Sequence, residues 1–165
     1  MARTFKQLWR STNGFKICNH NDHRVLFVFD NLSDVNRIIQ SQPWSFDKHL
    51  VMLQIYATDT PVHELVFTKT LFWVQVHDIP LHFMNKDVAE SLREVVGEVQ
   101  KSTKAVDDEG GYFIRVRVLI DVTLPLCRGR VITMENGEKN WVSAKYERLL
   151  NFCFWCGRLT HSDKN

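Results

Sequence analysis

Apolar residues recur along this chain at two spacings, and each spacing predicts an element. Residues 2–10 place Phe5, Leu8 and Trp9 at i, i+3 and i+4, with Arg3, Lys6 and Arg10 around the other side, which predicts a short amphipathic helix. In "GFKICNHNDHRVLFVFD", Phe15 and Ile17 alternate, "NHND" turns, and residues 24–29 form a second apolar run, so a hairpin is expected. In "NLSDVNRIIQSQPW", Ser33 is placed to cap a helix with the stripe Val35, Ile38 and Ile39, and Pro43 stops it. "HLVMLQIY" reads as a further strand. The order is helix, strand, strand, helix, strand. One strand more at the front would make it the β-α-β-β-α-β pattern of ferredoxin-like and RNA-recognition-motif-like folds.

The second half carries longer alternating runs. "LFWVQVHDIPL" predicts a strand ended by Pro80. Asn85 is placed to cap a helix with Val88, Leu92, Val95 and Val96 on one face, closed by Gly97. "EVQKSTKAV", "YFIRVRVLIDV", "CRGRVITM" and "KNWVSAKYERL" read as strands, with "DDEGG" and "ENGE" as turns. The expected fold class is α+β: a ferredoxin-like half over residues 1–57, a connection over 58–70, a sheet-rich β-α-β domain over 71–150, and a separate tail over 151–165.

Composition narrows the class without naming a function. A hydrophobic content of 44% with 12% aromatics suits a globular core. A net charge of +2 permits nucleic-acid binding, and only local clustering of cations would argue for it. No apolar run approaches the ~18 residues of a membrane-spanning helix, and the N-terminus has no signal-peptide core. Four cysteines, at 18, 127, 153 and 156, are too few and too uneven for a disulfide framework. These features predict an intracellular protein of the nucleus or cytoplasm, with no membrane partner.

The tail "NFCFWCGRLTHSDKN" has the strongest chemical signal. Cys153, Cys156 and His161 stand at the spacing of the first three ligands of a CCHC zinc knuckle, and a fourth would fall one position after Asn165. Zinc takes four such ligands in a tetrahedron, and C-x-x-C turns two thiolates toward one ion. The bland alternative is a tail bearing two free thiols. No carboxylate is placed as a base, and no nucleophile–base–orienter set appears, so no enzyme activity is expected.

Around the motif, Phe154 and Trp155 either stack on unpaired bases or pack on the preceding domain, and Arg158 is placed to meet phosphate. In "YFIRVRVLIDV", Arg115 and Arg117 fall on one strand face, and Arg128 and Arg130 are also two apart. Such a stripe either tracks a nucleic-acid backbone or is a solvated face balanced by Asp121 and Glu147.

With these stretches in view, the chain resembles a plant family in which the domain of unknown function 4283 precedes a CX2CX4HX4C zinc knuckle. The resemblance runs through "RVLFVFD", "PWSFDKHLVMLQ", "FWVQVHDIPL", "FIRVRVLIDVTLPLCRG" and "WVSAKYERLLNFCFWCGRLTH". It implies a retrotransposon-related, non-catalytic binding module, with Cys153, Cys156 and His161 as zinc ligands. The family pattern has one strand before the first helix and one cysteine after the last residue here, so truncation at both ends is expected, with zinc held weakly or not at all. The expected partner is single-stranded RNA or DNA. The alternative is self-association within a retroelement particle.

Overall fold

The computed structural model describes residues 2–19, 24–56, 59–79, 96–100, 113–133, 136–149 and 152–159. Among them are two α-helices and nine strands, an α+β fold. The first half runs α1 (Ala2–Trp9), β1 (Lys16–Asn19), β2 (Val25–Val28), α2 (Leu32–Gln40), β3 (Trp44–Phe46) and β4 (His49–Val51). The expected order is present with one strand added, and the strands pair as two antiparallel hairpins, β1–β2 and β3–β4.

This half is held by aromatic packing. Phe5, Trp9, Phe15 and Ile38 are buried together, and Phe27, Phe29, Trp44 and Phe46 close around them. The Trp9 ring lies 4.6 Å from Phe5 and meets Phe27 edge-on at 4.8 Å. Such pairs add about 0.5–1.5 kcal/mol beyond the area they bury. Leu8, expected on the same stripe, is 47% exposed, because a helix this short turns only Phe5 and Trp9 fully inward.

Asp34 and Arg37 of α2 fasten α1 in place. Arg37 Nη2 donates to the Trp9 carbonyl at 2.7 Å, satisfying an orphan acceptor at the end of α1. It also donates to Asp34 Oδ1 at 2.9 Å, while the Thr12 N–H donates to Asp34 Oδ2. That pair holds the Asp34 carboxyl below its ordinary range, Arg37 being the larger cause. The cap of α2 is Asn31, whose Oδ1 accepts from the Ser33 N–H; Ser33 is the donor and not, as expected, the cap.

The second half is a five-stranded antiparallel sheet in the order β6-β7-β5-β9-β8. Its strands are β5 (Lys69–His77), β6 (Glu98–Val99), β7 (Phe113–Asp121), β8 (Gly129–Thr133) and β9 (Lys139–Tyr146). β5 and β7 pair along their whole length, from Lys69 opposite Asp121 to His77 opposite Phe113. Period-two alternation sends Phe72, Val74, Val76, Ile114, Val116, Val118, Val142 and Ala144 to one face, where they form the core with Ile79, Val96 and Leu126. Val96 is helical and buried; the rest of the helix expected over 85–97 lies outside the described residues.

The other sheet face is not open along its length, and the first half meets it. Arg117 Nη2 donates to the Gln40 carbonyl at the end of α2, at 2.6 Å. Gln42, 4% exposed, accepts from the Leu71 N–H and donates to the Leu53 carbonyl. No described helix is long and apolar enough to cross a membrane.

Candidate zinc and nucleic-acid site

The Phe152–Leu159 segment is a tight turn built around its cysteines. The Gly157 N–H donates to the Cys153 carbonyl at 2.9 Å, and the Cys153 N–H to the Arg158 carbonyl at 3.0 Å. Gly157 makes this return possible at φ +75°, a left-handed conformation that costs a side-chain-bearing residue about 1–2 kcal/mol. The Gly157 carbonyl accepts from the Leu126 N–H at 2.7 Å, seating the turn on the segment that leads into β8.

The Cys156 N–H points at Cys153 Sγ, 3.5 Å away. Cys153 is buried and Cys156 half-buried. His161 lies outside the described residues, and among those described no three His, Cys, Asp or Glu side chains gather as a ligand set. Two of the three expected ligands, Cys153 and Cys156, therefore stand on one tight turn.

The two rings between the cysteines face solvent. Phe154 is 71% exposed and Trp155 is 94% exposed, so neither packs into the preceding domain. Phe154 meets Phe152 edge-on at 5.3 Å. Arg128 supports the loop from beneath: its Nη2 donates to the Phe154 carbonyl, and its guanidinium lies 5.3 Å over the Phe152 ring. Arg158 and Arg130 are exposed near the turn and on β8 respectively.

The expected Arg115–Arg117 stripe divides into two separate contacts. Arg115 binds Glu147 with two hydrogen bonds, Nε to Oε1 and Nη2 to Oε2, each 2.8 Å. Its guanidinium also lies 4.2 Å over the Trp73 ring. Those bonds are the main reason the Glu147 carboxyl sits below its ordinary range. Arg117 is 6% exposed and is corrected outright: the end of α2 and the Trp73 ring, 5.2 Å away, cover it. Burial first, then the like charges of Arg115 and Arg148, lower its pKa to about 10. Strand alternation sets which face a side chain takes but not what covers that face.

Sequence reasoning passed over Trp141. Its indole leans diagonally across β8 and lies directly over Gly129: a Cβ at Gly129 would meet Trp141 Cζ2 at 2.6 Å. The ring is 54% exposed, with Val131 beside it at 50%. The signal was present in "KNWVSAKY", where alternation puts Trp141 on the polar face with Lys139, Ser143 and Lys145.

Residues 120–165 match the zinc knuckle family, and residues 1–64 match a domain of unknown function, DUF4283. The chain is similar to an uncharacterized protein of Arabidopsis thaliana, 26% identical over 134 residues, a stretch that covers 78% of this chain and 40% of that relative. No solved structure matches it. The knuckle match begins at the end of β7, so β8, β9 and the cysteine turn fall in one matched segment. The two family matches thus fall on separate parts of the chain, DUF4283 on residues 1–64 and the zinc knuckle on residues 120–165.

Proposed function

We propose that the chain is a non-catalytic protein of retroelement origin that binds single-stranded nucleic acid through its zinc-organised turn. The observation that carries this reading is the exposure of Phe154 and Trp155 on a turn pinned by Arg128 and Leu126. Large rings held outward lose little conformational freedom when a base stacks on them, and such stacking contributes about 1–3 kcal/mol per base without demanding a particular sequence. Arg158, exposed on the same turn, and Arg130, exposed on β8, would serve the phosphates.

Zinc fits this reading as a structural ion, held by Cys153, Cys156 and His161, and it would cross-link the turn rather than react. The protein's own contribution is the preformed C-x-x-C-G turn with its N–H to sulfur bond. The retroelement origin rests on the sequence resemblance.

Fluorescence anisotropy with a labelled 12-nucleotide oligothymidylate tests the proposal. Binding by the zinc-loaded chain should weaken on chelation and in Trp155→Ala. Unchanged affinity in both, or concentration-dependent self-association with no response to the oligonucleotide, contradicts it.

A further inference from the structure

The indole of Trp141 has no place in the reading above, yet its setting is specific. It is not a core residue turned out by chance, because the sheet makes room for it to lie flat. At Gly129 any side chain would collide with the ring, with Cε2 at 2.9 Å and the Val142 carbonyl at 2.5 Å from the position of a Cβ. The outer part of the ring stays in solvent. A flat ring backed by a glycine and open on its outer side is a surface for stacking another flat ring.

Its neighbourhood fixes the kind of partner. Gly129 is bonded to Arg128, the residue that holds the Phe154 carbonyl; alternation turns Arg128 to the sheet face opposite Trp141, and β8 is the edge strand across which the two aromatic areas connect. Between residues 126 and 159 the sequence carries four Arg and two Lys against three Glu. One of those glutamates, Glu147, is already held by Arg115. Lys139 and Lys145 share the strand face of Trp141. Aromatic rings interleaved with a cationic excess complement a strand of bases joined by phosphates, and an acidic or purely apolar protein surface would use only half of these features.

We infer that Trp141, lying over Gly129, is a base-stacking platform that continues the path of a single-stranded nucleic acid from Phe154 and Trp155 onto the β8–β9 surface. This rests on the proposed function and adds a second contact area outside the cysteine turn. Arg128 then acts as a positioning residue that keeps the two aromatic areas together, and Lys139 and Lys145 meet phosphates beside the ring.

The test is a titration of the full, zinc-loaded chain against labelled 12-nucleotide oligothymidylate. Trp141→Ala should weaken binding by roughly 5- to 150-fold, the range expected for one lost base stack. Trp141→Phe should recover part of that loss. Trp141→Leu keeps apolar contact over Gly129 without a π face, so it should remain folded and bind as weakly as the alanine variant. Wild-type affinity in Trp141→Leu, with Trp155→Ala still impaired, overturns the platform and leaves the proposed function standing. Absence of oligonucleotide binding by the unaltered chain overturns both. Loss of self-association in Trp141→Leu, with oligonucleotide affinity unchanged, also overturns the platform and assigns the ring to a chain–chain contact.

Discussion

The guanidinium of Arg117 donates to the main-chain carbonyl of Gln40, joining the middle of the large sheet to the end of α2 across 77 residues of sequence. A helix end leaves carbonyls without partners, and Arg117 satisfies one of them from a site that water scarcely reaches. Its other terminal nitrogen, Nη1, is buried and has no hydrogen-bond partner among the described residues. Removing the side chain therefore frees a carbonyl and opens a gap beside Trp73, while also relieving a charge that burial disfavours. Arg117→Ala should destabilise the protein by about 2 kcal/mol, read as a lower urea midpoint, with oligonucleotide affinity unchanged below the transition. Lost affinity with unchanged stability would put Arg117 back on the binding surface.

Glu147 should make the protein sensitive to acid. Its carboxyl is held below the ordinary value of 4.5, chiefly by hydrogen bonds from Arg115, with Gln75 also donating. A carboxyl whose folded pKa is depressed contributes stability above its unfolded pKa, and that contribution is lost as pH falls through the folded value. Glu147→Gln should cost roughly 1–2 kcal/mol at pH 7, and its difference from the unaltered protein should shrink as the pH falls below the ordinary carboxylate range. Thermal melts from pH 7 to pH 3 check this, and parallel curves for the two proteins would refute it.

Much of this architecture was legible in the chain. The alternation in β7 set Val116 and Val118 on the face opposite Arg115 and Arg117, because a half-buried strand must alternate. The β3–β4 hairpin was not legible. Its turn residues, Asp47 and Lys48, both adopt positive φ, at 48° and 61°, without the glycine that usually signals such a turn. Arg117 and Trp141 were misjudged or missed for one shared reason. Periodicity gives the direction of a side chain, whereas its surroundings depend on elements distant in sequence: α2 for Arg117, Gly129 for Trp141. The cysteine turn was readable because its ligands and its glycine are close neighbours in the chain.

Gly157 should be needed for metal binding more than for the fold. A Cβ there would sit 3.4 Å from Pro125 Cβ, on backbone at φ +75°. Gly157→Ala should weaken zinc binding by about tenfold in competition with a chelator, through roughly 1–2 kcal/mol of backbone strain. The melting of the sheet should move less, because the turn meets its core only at the margin, through Leu126, Phe152 and Leu159. Unchanged zinc affinity would mean that the turn does not shape the site.

A fourth ligand should tighten the same site. Zinc takes four ligands in a tetrahedron, and Cys153, Cys156 and His161 are three of the expected set. A chain extended by one cysteine after Asn165 should bind zinc at least tenfold more tightly, about 1.4 kcal/mol. A smaller gain would mark the CX2CX4H spacing as coincidence.

The most direct test of nucleic-acid binding is a salt series with the zinc-loaded chain and a labelled 12-nucleotide single strand. Three or four phosphate contacts should give a log–log slope of about −2 to −3, since each contact on a single strand contributes roughly −0.7. Arg158→Ala should flatten that slope by about one contact. Measurable binding that persists at high salt on the stacking rings fits the account. A slope near zero, or no binding at low salt, would contradict it.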